Sequence, residues 1–222
     1  MVNTQMRFGP TSFSDDTELT QPITSFGPLV ARGNLYAPQI TTNGPCSIGE
    51  NLEIDISLKV NGPLVVKGSL TCHKEASAKV NGPVNISRGI IGGNIKINGP
   101  LKANYVEAKS FKVNGPLTVD EDLIAEESIV IGVGRSSKGG EYQSVSVGGL
   151  IEAPVIRIKN YSTMFSPAKF IKKVIGLKDK FERVIILEDL KFKADRLELE
   201  GIELENCDTS KVGEILQIHS KE

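Results

Sequence analysis

The residues that could perform catalysis or bind a metal ion are few in this sequence and widely spaced. Its two histidines are His73 and His219, and neither has a second ligand type at the spacing of a metal site. His73 directly follows Cys72, which occupies a position of the apolar pattern, so we expect this histidine to face solvent. The sequence therefore predicts neither a metal site nor a bound cofactor.

Two other segments have residue types that could act on a substrate. Asp120, Glu121 and Asp122 are consecutive, so strand alternation would point neighbours to opposite sides, which makes a poor acid/base pair. The segment from Gly132 to Ser144 is rich in glycine and contains basic residues, as a phosphate-binding loop does, but it lacks the P-loop spacing and a following helix. We interpret it as an excursion from one corner, and we expect no enzymatic activity and no small-molecule substrate.

A basic amphipathic segment runs from Tyr161 to Arg183. Ser166 and Pro167 are typical of a helix start, and apolar residues follow three or four apart. Six basic residues against two acidic ones give the segment a charge of +4. Such a helix can cover the core of the molecule, or it can dock on an anionic membrane or another partner. The residues that would make the docking contact are Lys169, Phe170, Lys172, Lys173, Val174 and Phe181.

The elements around these segments follow from a repeat. Seven of the eleven prolines come directly after glycine, and the successive gaps are 18, 17, 18, 20, 17 and 16 residues. The glycines are Gly9, Gly27, Gly44, Gly62, Gly82, Gly99 and Gly115. Asparagine precedes the glycine in five of these steps, at Asn43, Asn61, Asn81, Asn98 and Asn114. A period this short indicates a chain that winds around an axis, and repeats in register would stack these asparagines into a ladder of amides.

Between the Gly-Pro steps, apolar residues occur in pairs separated by one residue, as in Leu64/Val66, Leu70/Cys72 and Phe111/Val113. A period of two residues is typical of a strand with one buried face. Most pairs start five or six residues after the previous pair, so three short strands fill each repeat. The sequence therefore predicts an all-β fold, a single-stranded parallel β-helix of triangular section with one short helical insert.

The chain is expected to divide into three parts. Residues 1–159 form the β-helix with Gly-Pro corners, residues 160–183 the basic insert, and residues 184–222 either further turns or a capping segment with a net charge of −5. The whole chain has a net charge of −1, which predicts no affinity for nucleic acid. It has no signal-peptide pattern and no apolar run long enough to span a bilayer, so we expect a cytoplasmic protein, which is membrane-associated if the insert docks on a bilayer.

The repeats resemble those of the bactofilins, polymer-forming cytoskeletal proteins with a right-handed, triangular β-helix core. The resemblance lies in the winding of 16–20 residues, the paired aliphatic strands and the low aromatic content, as in KVNGPLVVKGSL and FKVNGPLTVDEDLIAEESIVIG. It covers roughly Gly27 to Ile158. It implies end-to-end assembly into filaments without nucleotide. The basic insert and the acidic C-terminal segment depart from that family pattern.

The ends of a β-helix give independent support to self-association. Each end exposes unpaired N–H and C=O groups on three strands, and such an edge pairs with another chain unless it is capped. No charged capping helix precedes Gly27, so the earliest apolar pair, Leu29 and Ala31, is the predicted assembly end. The expected function is that of a self-assembling structural protein whose partner is itself. The alternative is a non-polymerising scaffold that binds a macromolecule or a membrane through its insert or outer face.

Overall fold

The computed structural model describes residues 4–133, 145–160, 190–199 and 202–208. These residues form strands and turns without a helix. Parallel strands stack into a β-solenoid of about seven turns, so the predicted all-β parallel β-helix is confirmed. The predicted helical insert at 160–183 falls outside the described residues, apart from Asn160, which ends a strand.

One face of the solenoid is an eight-stranded sheet that follows the Gly-Pro corners, and we call it the first face. Each of its strands has three residues, and consecutive strands are in parallel register. In chain order they are β2 (Thr11–Phe13), β5 (Leu29–Ala31), β7 (Cys46–Ile48), β9 (Leu64–Val66), β12 (Val84–Ile86), β15 (Leu101–Ala103), β17 (Leu117–Val119) and β19 (Val145–Val147).

The other two faces share a fifteen-stranded sheet, because long strands bend around the corner between them. These long strands are β6 (Leu35–Thr42), β8 (Leu52–Val60), β16 (Tyr105–Asn114), β18 (Leu123–Val133) and β22 (Lys191–Leu199). The shorter ones are β1 (Gln5–Arg7), β3 (Thr17–Glu18), β4 (Ile23–Ser25), β10 (Leu70–Cys72), β11 (Ser77–Asn81), β13 (Gly89–Ile91), β14 (Asn94–Asn98), β20 (Leu150–Glu152), β21 (Val155–Asn160) and β23 (Ile202–Asp208).

Strand β8 shows how one chain segment serves two faces. Its first residues pair with β10, and we call the face that contains this pairing the second face. Its last residues pair with β11, and we call the face that contains this pairing the third face. Inward side chains on all three faces form one apolar core, in which Leu58, Val66 and Phe111 are at most 1% exposed. The predicted pairs therefore point inward, as the alternation of the sequence indicated.

The Gly-Pro corners need glycine because successive turns touch there through their backbones. A Cβ atom added to Gly99 would lie 2.5 Å from the carbonyl oxygen of Gly82, and one added to Gly115 would lie 2.6 Å from that of Gly99. Such distances are far shorter than van der Waals contact, so a side chain would push the turns apart. The glycine column thus fixes the close approach of the turns along one edge.

The last described strands change the pattern. β22 pairs in parallel with β20 and with β21, so the solenoid continues beyond residue 189 as a further turn. β23 then returns antiparallel to β22, with Ile202 opposite Leu199 and Asp208 opposite Lys193. In the described part of the chain, the outer edge of β22 is therefore occupied by a strand of opposite direction.

Candidate functional surfaces

Of the residues that suggested chemistry, those that the structure describes lie apart from one another. His73 is exposed at the corner between the second and third faces, as predicted. Cys46 and Cys72 are buried in the core, and desolvation raises the pKa of each thiol to about 12, so both are unreactive at neutral pH. Within the described ranges there is no group of three or more His, Cys, Asp or Glu side chains that could hold a metal ion.

The acidic run at residues 120–122 differs from the prediction. Asp120, Glu121 and Asp122 lie in the corner between β17 and β18, where all three are exposed, and do not alternate along a strand. Asp122 accepts a hydrogen bond from the backbone N–H of Leu150 at 2.7 Å, and Glu121 accepts one from Asn104 at 2.8 Å. These carboxylates therefore connect successive turns, which is a structural role.

An open groove of about 470 Å³ runs along the second face near the C-terminal turns. Its floor contains alanines such as Ala125 and Ala153, and its rim includes Glu107 and Glu126. A further rim carboxylate, Glu152, forms an ion pair with Lys193 at 2.5 Å. The groove has both charge signs on its rim and a floor without polar side chains, so it has no built polar site.

The predicted docking helix cannot be placed on this framework. Lys169, Phe170, Lys172, Lys173, Val174 and Phe181 all lie outside the described residues. Among the residues that are described, there is no helix of sufficient length and hydropathy to cross a membrane.

The N-terminal end of the solenoid begins one turn before the earliest apolar pair of the sequence. Leu29 and Ala31 are 0% and 1% exposed, because β5 lies between β2 and β7 in the first face. They are core residues of the second turn and cannot form the predicted assembly end. The first turn, formed by β1, β2 and β3, is the outermost described turn at this end.

In the described part of the chain, each strand of the first turn pairs on one side only. β1 pairs with β4, β2 with β5 and β3 with β6. The N–H groups of Gln5, Thr11 and Thr17 bond to the second turn. Because alternate residues of a parallel strand bond to opposite neighbours, the backbone groups of Met6, Ser12 and Glu18 face away from the molecule. Within the described residues, the first turn therefore has three strand edges that no other strand covers.

Hydroxyl groups lie within the core near this end. Thr11 and Ser25 are in contact at 3.3 Å between their side-chain oxygens, and Ser25 and Thr42 both donate to the carbonyl oxygen of Gly27 at 3.1 Å. The same inward column becomes aliphatic at Val60 and beyond. The first turns thus have a more polar interior than the middle of the solenoid.

The predicted asparagine ladder is present along the Gly-Pro edge. Asn61 donates from Nδ2 to Oδ1 of Asn43, and the same bond joins Asn81 to Asn61, Asn98 to Asn81 and Asn114 to Asn98, each at 2.7 Å. Each interior amide is therefore donor to the turn before it and acceptor from the turn after it.

A second, shorter ladder lies at the corner between the first and second faces. Asn34 donates to Asp16 at 3.0 Å, and Asn51 donates to Asn34 at 2.9 Å. Asn51 in turn accepts from the backbone N–H of Ser69. The spacing of 18 and 17 residues along the chain is that of the main repeat, so this periodicity was a signal that sequence reasoning missed.

Four lysines form a column on the third face, two residues before the ladder asparagines. In-register pairing places Lys59, Lys79, Lys96 and Lys112 on consecutive turns. Neighbouring strands are about 4.8 Å apart, so the column is about 14 Å long. Within the described residues none of the four forms an ion pair, whereas Lys74, Lys109 and Lys193 each do. We call this set the lysine column.

The outward column that contains these lysines continues toward the N-terminus through uncharged residues and ends beside an apolar cluster. Register places Met6, Thr24 and Thr41 in the same outward column below Lys59. Along the adjacent edge, where later turns have asparagine, Phe8 and Phe26 stack with ring centroids 5.1 Å apart. Met6, Phe8 and Phe26 are 63%, 81% and 48% exposed, and we call them the apolar cluster.

In the part of the chain that the structure describes, these surfaces are a first turn with uncovered strand edges and a basic, partly apolar face along the side of the solenoid. Comparison of the chain with family models, with curated proteins and with solved structures found no match. The fold and its surfaces are therefore the basis for assigning a function.

Proposed function

We propose that this chain is a structural, self-assembling β-helix protein of cytoskeletal or scaffold type, which polymerises in the cytoplasm through the ends of its turns without nucleotide. The observation that carries the proposal is the first turn, where β1, β2 and β3 each pair on one side only in the described part of the chain. Open strand edges of this kind pair readily with another chain. The likeness of the repeats to bactofilins supports the same function.

The chemistry of the first turn also favours contact with another protein. Phe13 and Leu19 are partly buried and pack against the core from its end. A second chain that extended the strands of the first turn would cover these side chains further while satisfying the outward backbone groups of Met6, Ser12 and Glu18. Backbone pairing and apolar burial would thus be gained at the same place.

Proline substitution tests this proposal, because proline removes an N–H group and is tolerated on strand edges. Met6→Pro together with Ser12→Pro removes two outward donors and leaves the bonds of Gln5 and Thr11 to the second turn in place. The matched control, Met6→Ala with Ser12→Ala, keeps both donors.

Light scattering and negative-stain electron microscopy across a concentration series provide the measurement. We expect the parent and the alanine variant to form multimers or filaments, and the proline variant to remain monomeric with an unchanged β-sheet spectrum. A parent protein that stays strictly monomeric at high concentration would remove the proposal, as would unchanged assembly of the proline variant.

A second candidate function is a non-polymerising scaffold that binds a macromolecular partner or a membrane. The lysine column favours it, because four neighbouring like charges repel one another and are left without an acidic partner in the described part of the chain. The assembly experiment separates the two candidates, since this one requires a stable monomer or dimer.

A further inference from the structure

We propose that the third face of the solenoid is a docking surface for an anionic lipid bilayer, with the lysine column and the apolar cluster as its two contacts. The inference is independent of self-assembly, and it gives the binding-scaffold candidate a ligand. It places the membrane contact on the β-helix itself, in addition to any contact made by the insert.

The first argument is charge. The outward side chains on the four turns of the column repeat the order Ser or Asn, Lys, Asn, as in Ser77, Lys79 and Asn81 on β11 and Asn94, Lys96 and Asn98 on β14. None of these outward positions is acidic. On these four turns the charge of the face is therefore only positive, in a chain whose net charge is −1. Lysine charge close to the surface of an anionic leaflet is attracted to it, and the effect adds from one lysine to the next.

The second argument is the apolar cluster on the same side of the molecule. Met6 lies in the outward column of the lysines, and the stacked rings of Phe8 and Phe26 lie at its adjacent edge. Exposed aromatic and long apolar side chains beside a basic face are typical of proteins that rest in the headgroup region of a membrane. The two contacts lie along the same side of the solenoid, so one bilayer surface can meet both of them.

Shape argues against nucleic acid as the ligand. A duplex is recognised by an element that enters a groove, and a flat sheet face cannot do so. Single strands bind through aromatic side chains on which bases stack, and the outward positions of the four lysine turns contain none. The two rings of the apolar cluster, Phe8 and Phe26, lie beyond those turns and stack on each other. A bilayer surface demands neither feature.

Co-sedimentation of the full chain with phosphatidylserine–phosphatidylcholine vesicles tests the proposal. Lys79→Gln with Lys96→Gln removes two charges from the column. Lys67→Gln with Lys102→Gln removes two exposed lysines elsewhere and serves as the control of equal net charge. We expect the first pair to weaken binding about thirty-fold and the control pair to weaken it far less. Binding should also weaken as salt is added and should be lost on pure phosphatidylcholine.

Phe8→Ser with Phe26→Ser tests the apolar contact. Both rings are exposed, so folding should be preserved. We expect this variant to lose the part of vesicle binding that persists at high salt. Unchanged binding of this variant would overturn the apolar half of the proposal.

Three results would overturn the assignment of the face. Equal losses in the two lysine pairs would mean that net charge alone governs binding. Loss of binding on deletion of residues 166–180, with the Lys79/Lys96 variant unaffected, would place the contact in the insert. Tighter binding to duplex DNA with the same lysine dependence would identify a nucleic-acid surface. Light scattering of each variant without vesicles distinguishes a failure of docking from a failure of assembly.

Discussion

Replacing one interior asparagine of the ladder should destabilise the protein by a small and predictable amount. Asn98→Ala removes two hydrogen bonds of 2.7 Å, the one donated to Asn81 and the one accepted from Asn114. A neutral hydrogen bond contributes about 0.5–1.5 kcal/mol net, and these amides are partly hydrated, so the low end applies to each. The expected loss is about 1 kcal/mol in the free energy of unfolding.

Thermal and urea unfolding followed by circular dichroism measure this loss. For a chain of this length, 1 kcal/mol corresponds to a decrease in Tm of about 2–4 °C. The control is Asn85→Ala, because Asn85 is an exposed outward residue of β12 that makes no side-chain hydrogen bond in the described part of the chain. The control should melt like the parent.

A double-mutant cycle isolates the bond itself. Asn81→Ala and Asn98→Ala share one hydrogen bond, so the double variant should be less destabilised than the sum of the two single variants, by about 0.5 kcal/mol. Strict additivity, or an Asn98→Ala melt equal to that of Asn85→Ala, would show that these asparagines only form turns and that the ladder adds no stability.

Three further predictions concern the core, the corners and acid stability. Val66→Asp should cost more than about 4 kcal/mol in urea unfolding because it buries an unpaired charge, whereas Val65→Asp, at a 36% exposed outward site, should be mild. Gly99→Ala should lower Tm strongly, since its Cβ would lie 2.5 Å from a carbonyl oxygen; a melt like that of the parent would contradict the stacked corner. The hydrogen bond from Lys109, together with its charge, lowers the pKa of Glu75, so this pair contributes stability above the usual glutamate range that is lost as pH falls through the lowered pKa. Glu75→Gln should therefore show a slightly shallower loss of stability in acid than the parent, and an identical pH profile would contradict the ion pair.

The middle turns were predictable from the sequence because their alternation is regular and their core is aliphatic. Pairs such as Leu64/Val66 and Leu70/Cys72 are buried as expected, and the asparagine ladder followed from the period alone. β13 was missed because it contributes a single apolar inward residue, Ile90. Its neighbour is Gly89, where a Cβ atom would lie 2.4 Å from the ring of Tyr105, so this position contributes no second apolar side chain.

The end turns and the surfaces were harder to predict. The first turn has Arg7 and Thr11 at positions that register with Ser25 and Leu29, so no apolar pair marks it. Alternation also does not encode strand direction, and the antiparallel return of β23 was therefore not foreseen. The lysine column has the period of the asparagines, but its members are far apart in sequence, and local charge counts did not reveal it.

The asparagine ladder also has a direction. Each of its four bonds is donated toward the N-terminal turn, so the side-chain dipoles from Asn114 to Asn43 point the same way. Aligned dipoles in a hydrogen-bonded row polarise one another and strengthen each bond. One edge of the solenoid therefore has a net dipole along the solenoid axis. Two molecules joined through their first turns would place these dipoles in opposite directions, whereas molecules stacked in one direction would align them.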